Sequence, residues 1–238
     1  MPERGVVIAD TPSDALPRVR TYRAADIRAA EAPLLAAGVP LMARAAHALA
    51  GIAAARLAAA SVPGVLVLAG RGDNGGDALF AGAELAAAGA RVDVLLVGDD
   101  AHDAGLAAAV DAGARMVDPA GLDPREYGIV LDGMIGLGGR GSLRGGARDA
   151  AIVLAPSLAA GPRILAVDLP SGLDPDTGEG DELVLPAHET ITFGAAKAGL
   201  ALGRGPALSG RVTLVDIGLE LVGAEPVGET EIAEIVRA

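Results

Sequence analysis

The sequence predicts an α/β protein: a single Rossmann-like, doubly wound, mainly parallel sheet in a three-layer α/β/α arrangement, with helices N-terminal to it. Three observations carry this. Short runs of Val, Leu and Ile alternate with Ala-rich stretches from Val65 onward, the pattern of βαβ units. A glycine-rich segment, Gly70-Arg71-Gly72-Asp73-Asn74-Gly75-Gly76-Asp77, directly follows one such run and precedes a helical pattern. Two later apolar runs each end in an acid, at Asp132-Gly133 and at Asp168-Leu169-Pro170-Ser171-Gly172.

Taken in order, residues 1–20 carry Pro2, Pro12 and Pro17 among scattered charges and read as a loosely ordered arm, leaving 21–238 as the domain. Residues 24–37 and 39–60 read as helices, broken at Gly38, with Pro40 suited to a first turn. Residues 65–69 are apolar throughout and read as a buried strand, followed by a helix over 78–88. Strand 91–97, helix 104–112 and strand 129–131 come next. Helix 144–158 and strands 164–167, 190–193 and 212–215 complete the alternation. A chain of 238 residues suits one large domain of this kind.

Composition narrows the function classes. Lys and Arg total 19 against 31 Asp and Glu, a net charge of −12, and such a surface repels nucleic acid phosphates. Two Phe, two Tyr and no Trp offer few platforms for stacking bases, so no nucleic acid partner is expected. The most hydrophobic tract, 45–68, is interrupted by His47, Arg56, Pro63 and Gly64, and no membrane span of about 20 residues is expected. With no cysteine and no apolar signal core after Met1, the chain reads as a protein of the reducing cytoplasm.

A glycine-rich strand-to-helix turn leaves backbone N–H groups free at a helix N-terminus, where an anion is favoured. Residues 70–77 therefore point to a nucleotide or a similar phosphate ester, although tight turns alone also use such glycines. Gly70-x-Gly72-x-x-Gly75 matches the spacing of the dinucleotide fingerprint. The ribose-binding acid of that fingerprint is missing, because Asp93 lies within a strand and not after it. Asp132 and Asp168, in isolation, read equally as site acids or as caps and solvated loop acids. Arg140 and Arg144 read as exposed cations or as partners of a pyrophosphate. His47, His102 and His188 read as packing or surface residues, and Lys197 as a loop lysine.

The motifs taken together are more specific. The order Asp73-Asn74-Gly75-Gly76-Asp77, Asp132-Gly133-x-x-Gly136, Asp168-Leu169-Pro170-Ser171-Gly172 and Thr192-Phe193…Lys197-x-Gly199 resembles the NAD(P)H-hydrate epimerase family. Gly38-Val39-Pro40-Leu41-Met42-x-Arg44-Ala45 extends the likeness upstream, so that it covers roughly 22–219.

The resemblance implies an isomerase that interconverts the R and S forms of hydrated NADH or NADPH, serving a dehydratase that repairs the hydrate. It implies that Asp73, Asn74, Gly75, Gly76 and Asp77 bind the hydrated dinucleotide together with Gly136, Leu137, Gly138, Gly139, Arg140, Gly141, Ser142 and Asp168. It implies a potassium ion (K+) held by Asn74, Asp132 and Ser171, and a homodimer. Hard oxygen donors of these types suit such a cation. Asp168 is the expected catalytic acid–base residue. Two positions depart from the family pattern: Asp73 stands where the family has Asn, and Ala78 where it usually has Gly. Two other classes remain open from the residues alone. One is a catalytically silent binding or scaffold domain on the same fold; the other, a nicotinamide oxidoreductase, is disfavoured by the missing ribose acid.

Overall fold

The computed structural model describes residues 16–136 and 142–238. The chain begins with β1 (Arg18–Tyr22), α1 (Ala24–Ala36) and α2 (Leu41–Ala58). It continues through β2 (Gly64–Ala69), α3 (Asp73–Ala87), β3 (Arg91–Leu96), α4 (Asp103–Asp111) and β4 (Arg115–Met116). After β5 (Ile129–Gly133) come α5 (Gly145–Leu154), β6 (Arg163–Val167), β7 (Glu189–Phe193) and β8 (Ala196–Lys197). Then follow α6 (Ala198–Ala201), α7 (Gly205–Leu208), β9 (Arg211–Asp216), β10 (Gly228–Glu231) and β11 (Glu234–Arg237).

The main sheet has eight strands in the order β11-β9-β7-β6-β5-β2-β3-β4, and every neighbouring pair is parallel. The chain winds outward from β2 to β4, then restarts on the other side of β2 at β5. That reversal makes the crevice between β2 and β5 the topological switch point, where open α/β sheets bind ligands.

Each central strand is apolar on both faces because both faces are covered. Val65, Val67 and Ala69 of β2 pack towards α2 and α3 with Leu49, Ala53, Ala78 and Leu79. Leu66 and Leu68 point the other way, into a layer with Ala147, Ala150 and Leu154 of α5. Ala-rich helices let backbones approach the sheet closely, and Ala is the best helix former. No single helix among the described residues is long and apolar enough to cross a membrane.

Three features differ from the sequence reading. First, Arg18–Arg20 of the expected arm belong to β1; residues 1–15 of that arm lie outside the described residues. β1 is the middle strand of a second, three-stranded sheet, antiparallel to β10 and parallel to β8. This sheet shares a third apolar cluster with the main one, in which Ala196, Leu200 and Ile232 meet Val212 of β9.

Second, α3 begins at Asp73 and not at Ala78, so Gly75 and Gly76 form its first turn. Glycine in a helix costs roughly 1 kcal/mol relative to alanine, yet a Cβ at Gly75 would lie 1.9 Å from the carbonyl oxygen of Gly70. Close backbone approach, not turn formation, requires that residue. Third, β11 beyond β9 and β4 beyond β3 add edge strands that the sequence reading lacks.

Candidate active site

Four strand ends and three helices enclose a cavity of about 720 Å³ at the C-terminal edge of the sheet, on the switch point. The head of α3 supplies Asp73, Asn74 and Asp77, and the end of β5 leads to Met134, Ile135 and Gly136. Asp168 follows β6, Phe193 ends β7 and Lys197 ends β8. Arg28 and Glu31 of α1 and Leu41 and Met42 of α2 form the remaining wall. Gly72, Asp73 and Asn74, at the start of α3, line this space. Gly76 N–H is committed to Gly72 O at 3.0 Å, and the N–H groups of the positions before it have no partner within the helix, which suits an anionic ligand.

Asp168 is 3% exposed and adopts φ 70°, making it the one non-glycine residue with positive φ among the described residues. Left-handed backbone is uncommon outside glycine and is best tolerated by Asn and Asp. Here a cluster of donors fixes it. Asp168 Oδ1 accepts from Thr192 Oγ1 at 3.1 Å, from Phe193 N–H at 3.2 Å and from the Lys197 ammonium. Lys197, 1% exposed, also donates to Phe193 O at 2.9 Å and Thr192 Oγ1 at 3.3 Å. The pair is thus a buried ion pair with its hydrogen bonds satisfied. Lys197, which sequence reasoning took for a loop lysine, is buried in the wall of the cavity beside Asp168. The available signal was its place in the Thr192-Phe193…Lys197-x-Gly199 pattern.

Asp132 is fully buried. Its Oδ1 accepts from Ser171 Oγ at 2.5 Å and Met134 N–H at 3.4 Å, and its Oδ2 accepts from Ser171 N–H at 3.0 Å. Burial pushes the Asp132 carboxyl above the usual carboxylate range, against the pull of these donors. Ser171 Oγ in turn accepts from Ile135 N–H at 2.9 Å. Asn74 Nδ2 donates to Val167 O, which leaves Asn74 Oδ1 to face Gly136; a Cβ at Gly136 would lie 2.2 Å from that oxygen. Asn74, Ser171 and Asp132 are therefore joined through the Ile135-Gly136 backbone. An amide oxygen, a hydroxyl and one carboxylate make a hard donor set carrying a single negative charge, which fits a monovalent cation.

Of the other expected contact residues, Asp73, Asn74, Asp77 and Gly136 line the cavity with Asp168. Gly75 and Gly76 do not. Gly75 backs onto Gly70, and a Cβ at Gly76 would meet the His102 ring at 3.0 Å. Leu137, Gly138, Gly139, Arg140 and Gly141 lie outside the described residues. Ser142 is exposed and borders a separate, smaller cavity of about 430 Å³ with Asp174, Glu179 and Arg204.

The histidines have structural roles. His47 meets Glu84 on the surface, His102 caps α4 and His188 accepts from Ile164 N–H. Asp93 is held inside β3 by Arg115 and the Tyr127 hydroxyl and does not line the cavity.

Residues 38–199 match the family model described as "YjeF-related protein N-terminus". A protein of Microbacterium testaceum named NAD(P)H-hydrate epimerase is 59% identical over 208 residues, covering 85% of this chain and 80% of that protein. One of the same name from Clavibacter michiganensis is 50% identical over 217 residues, covering 86% and 93%. The "Bifunctional NAD(P)H-hydrate repair enzyme Nnr" of Mycobacterium tuberculosis (strain H37Rv) is 42% identical over 88% of this chain, which spans 44% of that longer protein. The crystal structure of yeast ynu0, YNL200c, superposes with a TM-score of 0.70 at 16% identity, over 90% of this chain and all of that one, a likeness of fold. Motif order, strand-end geometry and sequence identity together make this chain a member of the NAD(P)H-hydrate epimerase family.

Proposed function

We propose that this protein interconverts the R and S epimers of NADH or NADPH hydrated on the nicotinamide ring, as an isomerase of nicotinamide nucleotide repair. The carrying observation is the buried Asp168–Lys197 pair on the floor of a switch-point cavity of dinucleotide dimensions. The relatives named as epimerases support the same reading.

The chemistry follows from the substrate. Epimerisation at the hydroxyl-bearing carbon requires that the C–O bond break while the ring nitrogen lone pair forms a C=N bond. Water then adds to the opposite face. The ring is cationic between these steps, and a fixed carboxylate facing it stabilises that charge without reorganising. Asp168 suits this role because its backbone is locked and Oδ1 is held by three donors. Holding a counter-charge in place and moving a proton are separate tasks, and the fixed geometry at Oδ1 supports the first of them for Asp168. The free N–H groups of α3 would bind the pyrophosphate. Asn74, Asp132 and Ser171 would hold potassium, which would supply a fixed positive charge beside Asp132.

The bifunctional relatives are more than twice as long as the part this chain matches, in keeping with a hydrate dehydratase as functional partner. We further place the protein in the cytoplasm, as a homodimer. The deciding experiment follows epimer interconversion by chromatography with and without potassium. Binding without interconversion would identify a silent binding domain instead.

A further inference from the structure

Asp77 sits in the second turn of α3 and borders the same cavity as Asp168. It is only 7% exposed, and its Oδ1 is buried without a hydrogen-bond partner. Most buried polar side-chain atoms are hydrogen-bonded, so an orphan in a ligand cavity asks for an explanation. A carboxylate left so would be heavily penalised, whereas a carboxylic acid loses much less on burial. The charged groups that share the cavity are Glu31 and Arg28 from α1, Asp73 and Arg71 at the head of α3, Asp168 after β6 and Lys197 on β8. Burial pushes the Asp77 carboxyl well above the usual carboxylate range. The charges of Asp168, Asp73 and Glu31 add to this, and Lys197 alone pulls it back.

One cavity therefore holds two carboxyls in opposite environments, the arrangement by which a single site divides acid and charge-stabilising roles. Asp168 is fixed by three donors, one of them an ammonium; Asp77 has none on Oδ1.

We propose that Asp77, and not Asp168, is the general acid–base residue of the epimerisation. Resting on the epimerase reading, the step balances as follows. The Asp77 O–H proton goes to the hydroxyl on the ring; the C–O bond breaks with its electron pair on oxygen, water forms, and the nitrogen lone pair makes C=N. Water then adds to the other face and the C=N pair returns to nitrogen. The proton released by that water passes back to the Asp77 carboxylate, directly or through water in the roughly 720 Å³ cavity. Asp168 faces the cationic ring as its counter-charge.

The test uses the full chain, chromatographically separated NADH-hydrate epimers, and rates measured from about pH 5 to about pH 9. The wild-type rate should fall as pH rises through the Asp77 titration. Asp77→Asn should still bind the hydrate, turn over about 100-fold slower or slower still, and lose that pH limb. Asp77→Glu should restore the limb. Stability gives a readout independent of turnover. The folded-state pKa of Asp77 is raised above its unfolded value, so wild type loses stability as pH climbs from the unfolded value through the folded one. Asp77→Asn escapes this, and its melting temperature should exceed that of wild type by a margin that opens above about pH 4.

An Asp77→Asn enzyme within a few-fold of wild type with its pH limb intact overturns the assignment, as does a melting difference that is constant with pH. A wild-type protein that binds hydrate but never epimerises it overturns the epimerase reading itself, a result distinguishable from both.

Discussion

Replacing Asp168 by Asn tests the buried ion pair with little else changed. Asn keeps the size and tolerates the left-handed backbone at φ 70°, so the main loss is the negative charge. What remains is the Lys197 ammonium, its side chain 2% exposed, with only Phe193 O and Thr192 Oγ1 as acceptors. Removing one partner of a buried pair typically costs about 3–5 kcal/mol, because the other charge is left uncompensated. At about 2–4 °C per kcal/mol for a chain of this size, Asp168→Asn should melt roughly 10 °C below wild type at neutral pH. Lys197→Met should fall by a similar amount. The double variant Asp168→Asn/Lys197→Met removes both charges and should recover part of the loss, with a coupling on the order of 2–3 kcal/mol in a double-mutant cycle. The assay is urea or thermal unfolding of the four proteins in one buffer. Additivity of the two single losses to within about 0.5 kcal/mol would refute the argument that these charges depend on each other.

Three further outcomes are expected. Gly75→Ala places Cβ 1.9 Å from Gly70 O and should cost about 1–3 kcal/mol by overpacking. Gly72→Ala meets nothing within 4 Å and should melt like wild type, so equal melting temperatures for all three proteins would contradict the backbone-approach explanation. Ser171→Ala removes the hydroxyl joining Asp132 to Ile135. It should raise the potassium concentration needed for half-maximal epimerisation by about tenfold or more, as removal of a ligand or its support typically does; an unchanged potassium dependence would exclude Ser171 from that site. At Glu189, burial pushes the carboxyl up, but hydrogen bonds from Arg56 and Thr213 and the charges of Arg56 and Arg211 outweigh it and hold the group below the usual range. Its stabilising contribution is thus present above the unfolded value of about 4.3 and is lost as pH falls through the folded one. Arg56→Met should cost about 3 kcal/mol at neutral pH, with a gap to wild type that narrows in acid; a gap independent of pH would assign the loss to packing.

The sequence was most legible where burial imposes composition. β2, β5 and β6 are buried along almost their whole length and are apolar at every buried position but Asp132, so these strands announce themselves, whereas the buried β7 reads Glu-Thr-Ile-Thr-Phe and is marked by its β-branched residues. The acids that break this rule, Asp132 and Asp168, announce themselves for the same reason. The second sheet was not legible. β1 reads Arg-Val-Arg-Thr-Tyr, β10 reads Gly-Glu-Thr-Glu and β8 has only two residues. β1 and β10 are half-exposed and carry charge, β8 is too short to show a pattern, and what pairs them lies far away in the chain. Lys197 was misread on the same account, since only the fold turns a polar residue after β7 inward to Asp168. The start of α3 was hidden because glycine opposes helix locally, while the backbone contact with Gly70 that requires it is tertiary.

The second sheet also bears on the order in which the molecule assembles. β1 pairs with β10 across a chain separation that reaches 213 positions between Arg18 and Glu231, while the same strand aligns Tyr22 with Lys197. Closing so long a loop must be compensated by contacts already made, which places it late among folding events. A chain on its way to the native state would then own the parallel sheet and the glycine-rich helix start before Lys197 is locked beneath Asp168. Dinucleotide-binding architecture and catalytic charge would mature at different times. In the native state, the amides of β1 and β10 should exchange with solvent through smaller openings than those of β2 and β5, so the site's chemistry is guarded by its least protected strands.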